Sequence, residues 1–129
     1  MKRALLDTSF VISLARGEDL PLEDAPEEAA ISAVTLCGLH HGVLAATDKQ
    51  RPGRLATLVF AERRFDALPV DAHIAPHYGR LVADTRRRRK KKLATADALI
   101  AATAAAYQLP LLTRDRDFAD IDGIDTVII

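Results

Sequence analysis

The chain has no tryptophan, a single cysteine and a single methionine, and aromatic residues make up only 5% of its 129 residues. So few aromatics argue against an aromatic-rich β sandwich. Ala, Leu, Val and Ile supply most of the apolar content, which suits helices packed closely on a sheet. The lone Cys37 excludes an intrachain disulfide framework and makes cytoplasmic residence the expectation. No apolar run is long and charge-free enough to span a membrane. Near the start, Lys2 and Arg3 are followed too soon by Asp7 for the uninterrupted apolar region of a signal peptide. Net charge is missing as well, since 18 Lys and Arg balance 18 Asp and Glu. The zero hides segregation: seven consecutive cations run from Arg86 to Lys92, while residues 18–28 and 115–125 are rich in acids. Such poles permit a polyanion in one place and a metal in another without requiring either.

What is present fits one compact domain over residues 1–129, with 49% hydrophobic content and a real core. The apolar run Arg3-Ala4-Leu5-Leu6 ends abruptly in Asp7, and Thr8-Ser9-Phe10-Val11-Ile12 opens a helical pattern that either hydroxyl residue can cap. Ala29-Ala30-Ile31-Ser32 reads as a short strand, and Ser32 opens a helix with Leu36, Leu39, Val43 and Leu44 directed inward. Asp48, Pro52 and Gly53 break the pattern, which resumes over residues 54–65 with Leu55, Leu58, Val59 and Phe65 inward. A strand over residues 65–70 precedes Asp71, which caps a helix carrying Ile74, Tyr78, Leu81 and Val82 into the basic block. Thr95 is the expected cap of an alanine-rich helix that closes near Gln108, before Pro110. Leu111-Leu112-Thr113 and Val127-Ile128-Ile129 complete the strands. Alternation of strands and helices implies an α/β fold, a three-layer α/β/α sandwich with a central parallel sheet.

Three acids fall where a strand meets a helix or loop. Asp7 follows the first strand, Asp97 lies in the first turn of the alanine-rich helix, and Asp115 follows Leu111-Leu112-Thr113 with Asp117 close behind. Right-handed connections bring these positions to one sheet edge. Carboxylates crowded together raise one another's pKa unless a cation neutralises them, and hard oxygen donors suit Mg²⁺ or Mn²⁺. Each acid also has a plainer reading, as a turn residue or, for Asp97, as a favourable charge at a helix N-terminus.

The wording around these acids resembles the PIN-domain family, in particular its VapC-type ribonuclease toxins. Leu5-Leu6-Asp7-Thr8-Ser9 is similar to the family's opening motif. Ile31-Ser32-Ala33-Val34-Thr35-Leu36 with Leu39-His40-His41-Gly42 resembles the second. Ala96-Asp97-Ala98-Leu99-Ile100-Ala101-Ala102-Thr103-Ala104 resembles the third, and Leu112-Thr113-Arg114-Asp115-Arg116-Asp117-Phe118 the fourth. The resemblance implies a PIN-like fold and metal-dependent cleavage of RNA phosphodiester bonds. It also implies a homodimer and a cognate VapB-like antitoxin whose C-terminal segment fills the active-site groove. Asp7, Asp97 and Asp115 would be the catalytic metal ligands for Mg²⁺ (or Mn²⁺), with Asp117 supporting them.

The family's second motif normally carries a glutamate immediately before the residue matching Leu39, and Gly38 stands there instead. Glycine inside a helix costs roughly 1 kcal/mol relative to Ala, so Gly38 breaks local propensity. Against the family's pattern it implies a vacant acidic-ligand position and either an impaired variant, the favoured expectation, or another acid that supplies the missing charge. The alternative is a non-catalytic PIN-fold module that binds RNA or antitoxin. A phosphoacceptor domain would also place an acid after its first strand, but it would usually want a second acid close to Asp7. Thr8 and Thr113 are expected to cap and to support a carboxylate. Arg86, Arg87, Arg88, Arg89, Arg114 and Arg116 are candidate RNA contacts, with a solvated helix end as the plainer reading of the basic block. Cys37 is expected to be a small buried residue. The histidine pairs are expected at exposed helix surfaces, with His40 and His41 also open to a dimer contact. The alanine- and leucine-rich faces exceed what one small sheet needs.

Overall fold

The computed structural model of the chain describes residues 1–88 and 92–129. Five strands, β1 (Arg3–Leu6), β2 (Glu28–Ser32), β3 (Asp66–Leu68), β4 (Leu111–Thr113) and β5 (Thr126–Ile128), form one sheet in the order β3-β2-β1-β4-β5. Every pairing is parallel. Five helices connect them: α1 (Thr8–Ala15), α2 (Ala33–Ala45), α3 (Arg51–Arg64), α4 (Ala75–Arg88) and α5 (Thr95–Tyr107). No helix among the described residues is long and apolar enough to cross a membrane.

Side-chain alternation in β1 and β4 divides the core into two layers. Leu5 and Leu111 point to one face, where Leu81 of α4 and Ala98, Ile100, Ala101 and Ala104 of α5 bury them. Ala4, Leu6 and Leu112 point to the other, against Phe10 and Val11 of α1, Leu39 of α2, and Leu58 and Ala61 of α3. The period of two in a strand buried on both sides explains why these segments read as unbroken apolar runs. Small residues along α5 let that helix lie close to the sheet.

Several local expectations need correction. Asp7, rather than Thr8 or Ser9, caps α1: its Oδ1 accepts from the Phe10 N–H at 3.0 Å. Ala94 precedes α5 without a side-chain cap, and Thr95 is already helical. Helix α3 begins before residue 54, at Arg51, with Pro52 in the tolerated first turn. In the turn that leads into it, Thr47 and Gln50 bond each other's backbone N–H groups at 3.1 and 3.3 Å. Leu44 is 83% exposed because it lies about 140° around α2 from buried Leu39. Leu55 is also exposed, on a side of α3 away from Thr57, Leu58 and Ala61. Cys37 is exposed rather than buried. Ser32 performs as expected, accepting from the Val34 N–H at the start of α2. Asp71 instead accepts from the His73 N–H in the turn that precedes α4, which begins at Ala75.

Candidate metal centre

Strand β1 has β2 on one side and β4 on the other, so chain order reverses across the β1–β4 pair. Connections diverge there and leave a crevice beyond the strand carboxyl ends, where open α/β sheets hold ligands. Asp7 follows β1 directly, and Thr113 ends β4 with Arg114, Asp115 and a single 3-10 turn at Arg116–Phe118 next. Asp97 arrives from the first turn of α5. One ligand oxygen from each of Asp97, Asp115 and Asp117 lies within 4.8 Å of the others. Asp7 is not part of that trio, but it is near enough for its charge to act on Asp97.

A chain of hydrogen bonds links Asp7 to the trio. Asp7 is 3% exposed. Ser9 Oγ donates to both of its oxygens, at 2.8 and 3.0 Å, and Thr113 Oγ1 donates to Oδ2 at 2.8 Å. The Thr113 hydroxyl also accepts from the Asp115 N–H at 2.9 Å. Asp115 Oδ1 in turn accepts from the Asp117 N–H at 2.9 Å. Each link sets the direction of the next, so the buried acid that follows β1 orients the loop carrying the two half-buried acids. Thr8 turns the other way, its hydroxyl 3.1 Å from that of buried Thr35 on α2.

Electrostatics agree with crowding. Burial pushes the Asp7 carboxyl above the ordinary aspartate range, although the bonds from Phe10, Thr113 and Ser9 pull it back. Asp97 is pushed up to about 6, first by burial and then by the charges of Asp115, Asp7 and Asp117. Carboxylates drawn to one crevice raise one another's pKa, and a divalent cation is a natural relief for that crowding. The donors are all oxygen, which fits Mg²⁺ or Mn²⁺ better than the softer metals that favour His and Cys.

The outer candidates separate by their engagements. Arg86, Arg87, Lys92 and Arg116 are exposed. Arg88 forms ion pairs with Asp84 and Asp122, and Arg114 pairs with Glu18 at 2.6 Å. Arg89 lies outside the described residues. Gly38 is exposed on α2, one turn beyond Thr35 on the same side, and a Cβ built there meets no atom within 4 Å.

A profile of the PIN domain matches residues 4–124. The chain belongs to the PIN domain family. Ribonuclease VapC5 of Mycobacterium tuberculosis is 40% identical over 127 residues, covering 95% of this chain and 90% of the relative. Ribonuclease VapC4 of the same organism is 32% identical over 129 residues, covering 100% and 98%. Among solved structures, VapBC-5 of that organism, a member of the VapBC family of toxin–antitoxin systems, aligns with a TM-score of 0.82. It is 34% identical and covers 100% of both chains.

Within this PIN domain, sequence reasoning singles out the four acids with Asp7 in the ligand set and Asp117 in support, whereas the trio of neighbouring oxygens includes Asp117 and leaves out Asp7. It also misses Ser9 as the hub between Asp7 and the Asp115 loop, and Thr35 as the partner of Thr8. The adjacent signals are there: a hydroxyl two residues after an N-terminal acid, and a threonine one turn into α2. Spacing alone cannot pair residues 104 or 27 positions apart.

Proposed function

We propose that this chain is a VapC-like toxin, an endoribonuclease that cleaves RNA phosphodiester bonds with Mg²⁺ (or Mn²⁺) and is inhibited by a cognate VapB-like antitoxin. The observation that carries the reading is the trio of Asp97, Asp115 and Asp117 within 4.8 Å at the β1–β4 crevice. The VapC relatives and the VapBC-5 complex support the toxin and antitoxin parts. Asp97, Asp115 and Asp117 would hold the cation. Asp7 would contribute its charge from behind and, where it retains a free lone pair, a ligand oxygen. When bound, such an ion polarises the phosphate and activates water for in-line attack.

The protein's own groups do the positioning. Ser9 and Thr113 fix the Asp7 carboxylate, Thr113 and Asp115 fix the loop, and the α5 N-terminus presents Asp97. No protein nucleophile is needed. Ser9 Oγ is engaged with both oxygens of Asp7, and Cys37 is on an exposed side of α2. Exposed Arg86, Arg87, Lys92 and Arg116 would track the RNA backbone, in a cytoplasmic setting. An apolar side of α3 formed by Pro52, Leu55, Ala56, Val59 and Phe60 borders an open groove of about 630 Å³, which supports a homodimer covering it.

Gly38 favours a second reading, a chain with weak or no cleavage that keeps antitoxin binding. No carboxylate reaches the crevice from α2 at that position. Cleavage of a mixed RNA panel across a Mn²⁺ and Mg²⁺ titration tests both readings. The expected result is slow, metal-dependent cutting that Asp97→Asn abolishes. Cutting that persists undiminished in EDTA would refute the metal-dependent reading, while metal binding with no cutting selects the non-catalytic one.

A further inference from the structure

Arg114 is the residue between the last β4 hydroxyl and the first acid of the trio, and both of its ends are anchored on the α1 side of the crevice. Its backbone N–H donates to Ser9 Oγ at 3.1 Å. Its Nη1 donates to Ser13 Oγ at 3.2 Å and to Glu18 Oε2 at 2.6 Å. Ser13 is buried within α1, and Glu18 lies just beyond the end of that helix. Three residues downstream of Asp115, Phe118 is fully buried against α5 and β1. The short segment holding Asp115 and Asp117 is therefore pinned at one end by the Phe118 ring and at the other by the Arg114 guanidinium.

We infer that Arg114 is a positioning residue, a strut bridged to Ser13 and Glu18 that holds the Asp115–Asp117 segment at the distance from Asp97 a divalent cation needs. The inference rests on the metal-dependent reading above and assigns Arg114 to the metal site in place of an RNA contact. A phosphate would have to compete for an Nη1 already shared by two intrachain acceptors. Both bonds leave from that one nitrogen, which ties Ser13 and Glu18 to a single point of the Arg114 side chain.

The direction of the effect separates a strut from a simple charge. Through its field alone, Arg114 repels a cation, so its removal would tighten metal binding, and neutralising Glu18 would weaken it. A strut predicts that both changes weaken binding. Outer partners of metal ligands are typically worth about 10–100-fold in affinity or activity. The pair is more than a third exposed, with side-chain exposures of 38% and 39%, which places the expectation near the low end, roughly tenfold.

The experiment measures Mn²⁺ dissociation constants from the free-ion EPR signal for the full chain, Arg114→Ala, Glu18→Gln and the double variant. RNA affinity is followed by fluorescence anisotropy in EDTA. Asp48→Asn, which removes the distant Asp48–Arg51 pair, is the control and should change neither. Each single variant should raise the Mn²⁺ constant by roughly tenfold, with the double no worse than one single because both act through one bridge. RNA affinity should stay unchanged. Opposite shifts for the two singles would reduce Arg114 to a field effect and overturn the strut. Weakened RNA binding by Arg114→Ala alone, with Mn²⁺ affinity intact, would overturn it in favour of an RNA contact. Unchanged Mn²⁺ constants beside a wild-type chain that binds Mn²⁺ would sink the strut and spare the nuclease reading. A wild-type chain that binds no Mn²⁺ would remove both.

Discussion

Restoring a carboxylate to α2 is the most searching perturbation of the proposed site. Gly38 lies inside a continuous helix, is exposed, and has no atom within 4 Å of a built Cβ, so the first side-chain carbon of Gly38→Glu meets open space. Propensity alone stabilises the helix by about 0.6 kcal/mol, since glycine is the poorer former by roughly that margin. In a domain of this size that raises Tm by about 2–3 °C. In metal-free protein the new acid would join Asp7, Asp97, Asp115 and Asp117, and their repulsion offsets part of the gain. With Mn²⁺ the repulsion becomes attraction. Gly38→Ala separates the contributions: it takes the helix gain without the charge. Mn²⁺ affinity should therefore tighten at least tenfold in Gly38→Glu, or about 1.4 kcal/mol, and remain at the wild-type value in Gly38→Ala. If the vacancy leaves the cation about 1 Å out of place, RNA cleavage should rise by roughly a hundredfold. Calorimetry with Mn²⁺, melting curves in EDTA and in Mn²⁺, and initial cleavage rates across a metal titration supply the numbers. Indistinguishable Mn²⁺ affinities and cleavage rates for Gly38→Glu and Gly38→Ala would refute the assignment of Gly38 as the vacant ligand position.

Thr113→Val keeps the buried shape but removes the donor to Asp7 and the acceptor for the Asp115 N–H; it should cost about 2–3 kcal/mol, while Thr113→Ser should restore most of it, as melting curves would register. Asp97, raised to about 6, gives the metal-free fold a stability contribution that is present near pH 4 and declines as pH climbs through 6, because the folded state holds the proton longer than the unfolded chain. Melting in EDTA from pH 4 to 7 should show that decline, and Asp97→Asn should flatten it; an unchanged slope in the variant would contradict the crowding argument. RNA binding measured on Asp97→Asn should weaken with salt, and replacing exposed Arg86 or Arg87 by Gln should reduce the slope of log affinity against log salt by about 0.7 for each phosphate that the arginine had neutralised. Arg88→Gln should change that slope less, because Arg88 is already paired with Asp84 and Asp122.

The parts of this fold legible in the sequence are those decided by local chemistry. Leu5 and Leu6 ending in Asp7, or Leu111 and Leu112 ending in Thr113, report strands buried on both faces without reference to any distant residue. Ser32 as a cap is equally local. Errors arise where a partner elsewhere decides the outcome. Asp7 displaces Thr8 and Ser9 as the α1 cap because Thr8 faces Thr35 and Ser9 serves the carboxylate itself. Leu44 and Leu55 look like core residues until the sheet chooses which stripe of each helix it covers. The start of α3 at Arg51 is hidden because Pro52 and Gly53 suggest a break instead of a beginning.

The site shows the same division. An acid after a buried strand advertises itself, yet only topology decides whether acids 90 and 18 residues apart in sequence, at Asp7, Asp97 and Asp115, become neighbours. Strand order β3-β2-β1-β4-β5 supplies the answer by seating β4 beside β1 and delivering the α5 N-terminus to the same edge. The cations are harder. Arginines in a chain for which an RNA substrate is proposed invite a phosphate reading, and clustering or nearness to Asp115 extends it to all six candidates. Two of them, Arg88 and Arg114, spend their charge on Asp84, Asp122 and Glu18. The acid-rich stretches at residues 18–28 and 115–125 therefore do more than balance the basic block. Glu18 and Asp122 tie down opposite sides of the loop that follows β4, so that the loop's acids can be crowded without springing apart. A net charge of zero is thus assembled in part from specific pairs at the rim of the crevice, and the crowding of Asp7, Asp97 and Asp115 there is what a divalent cation would relieve.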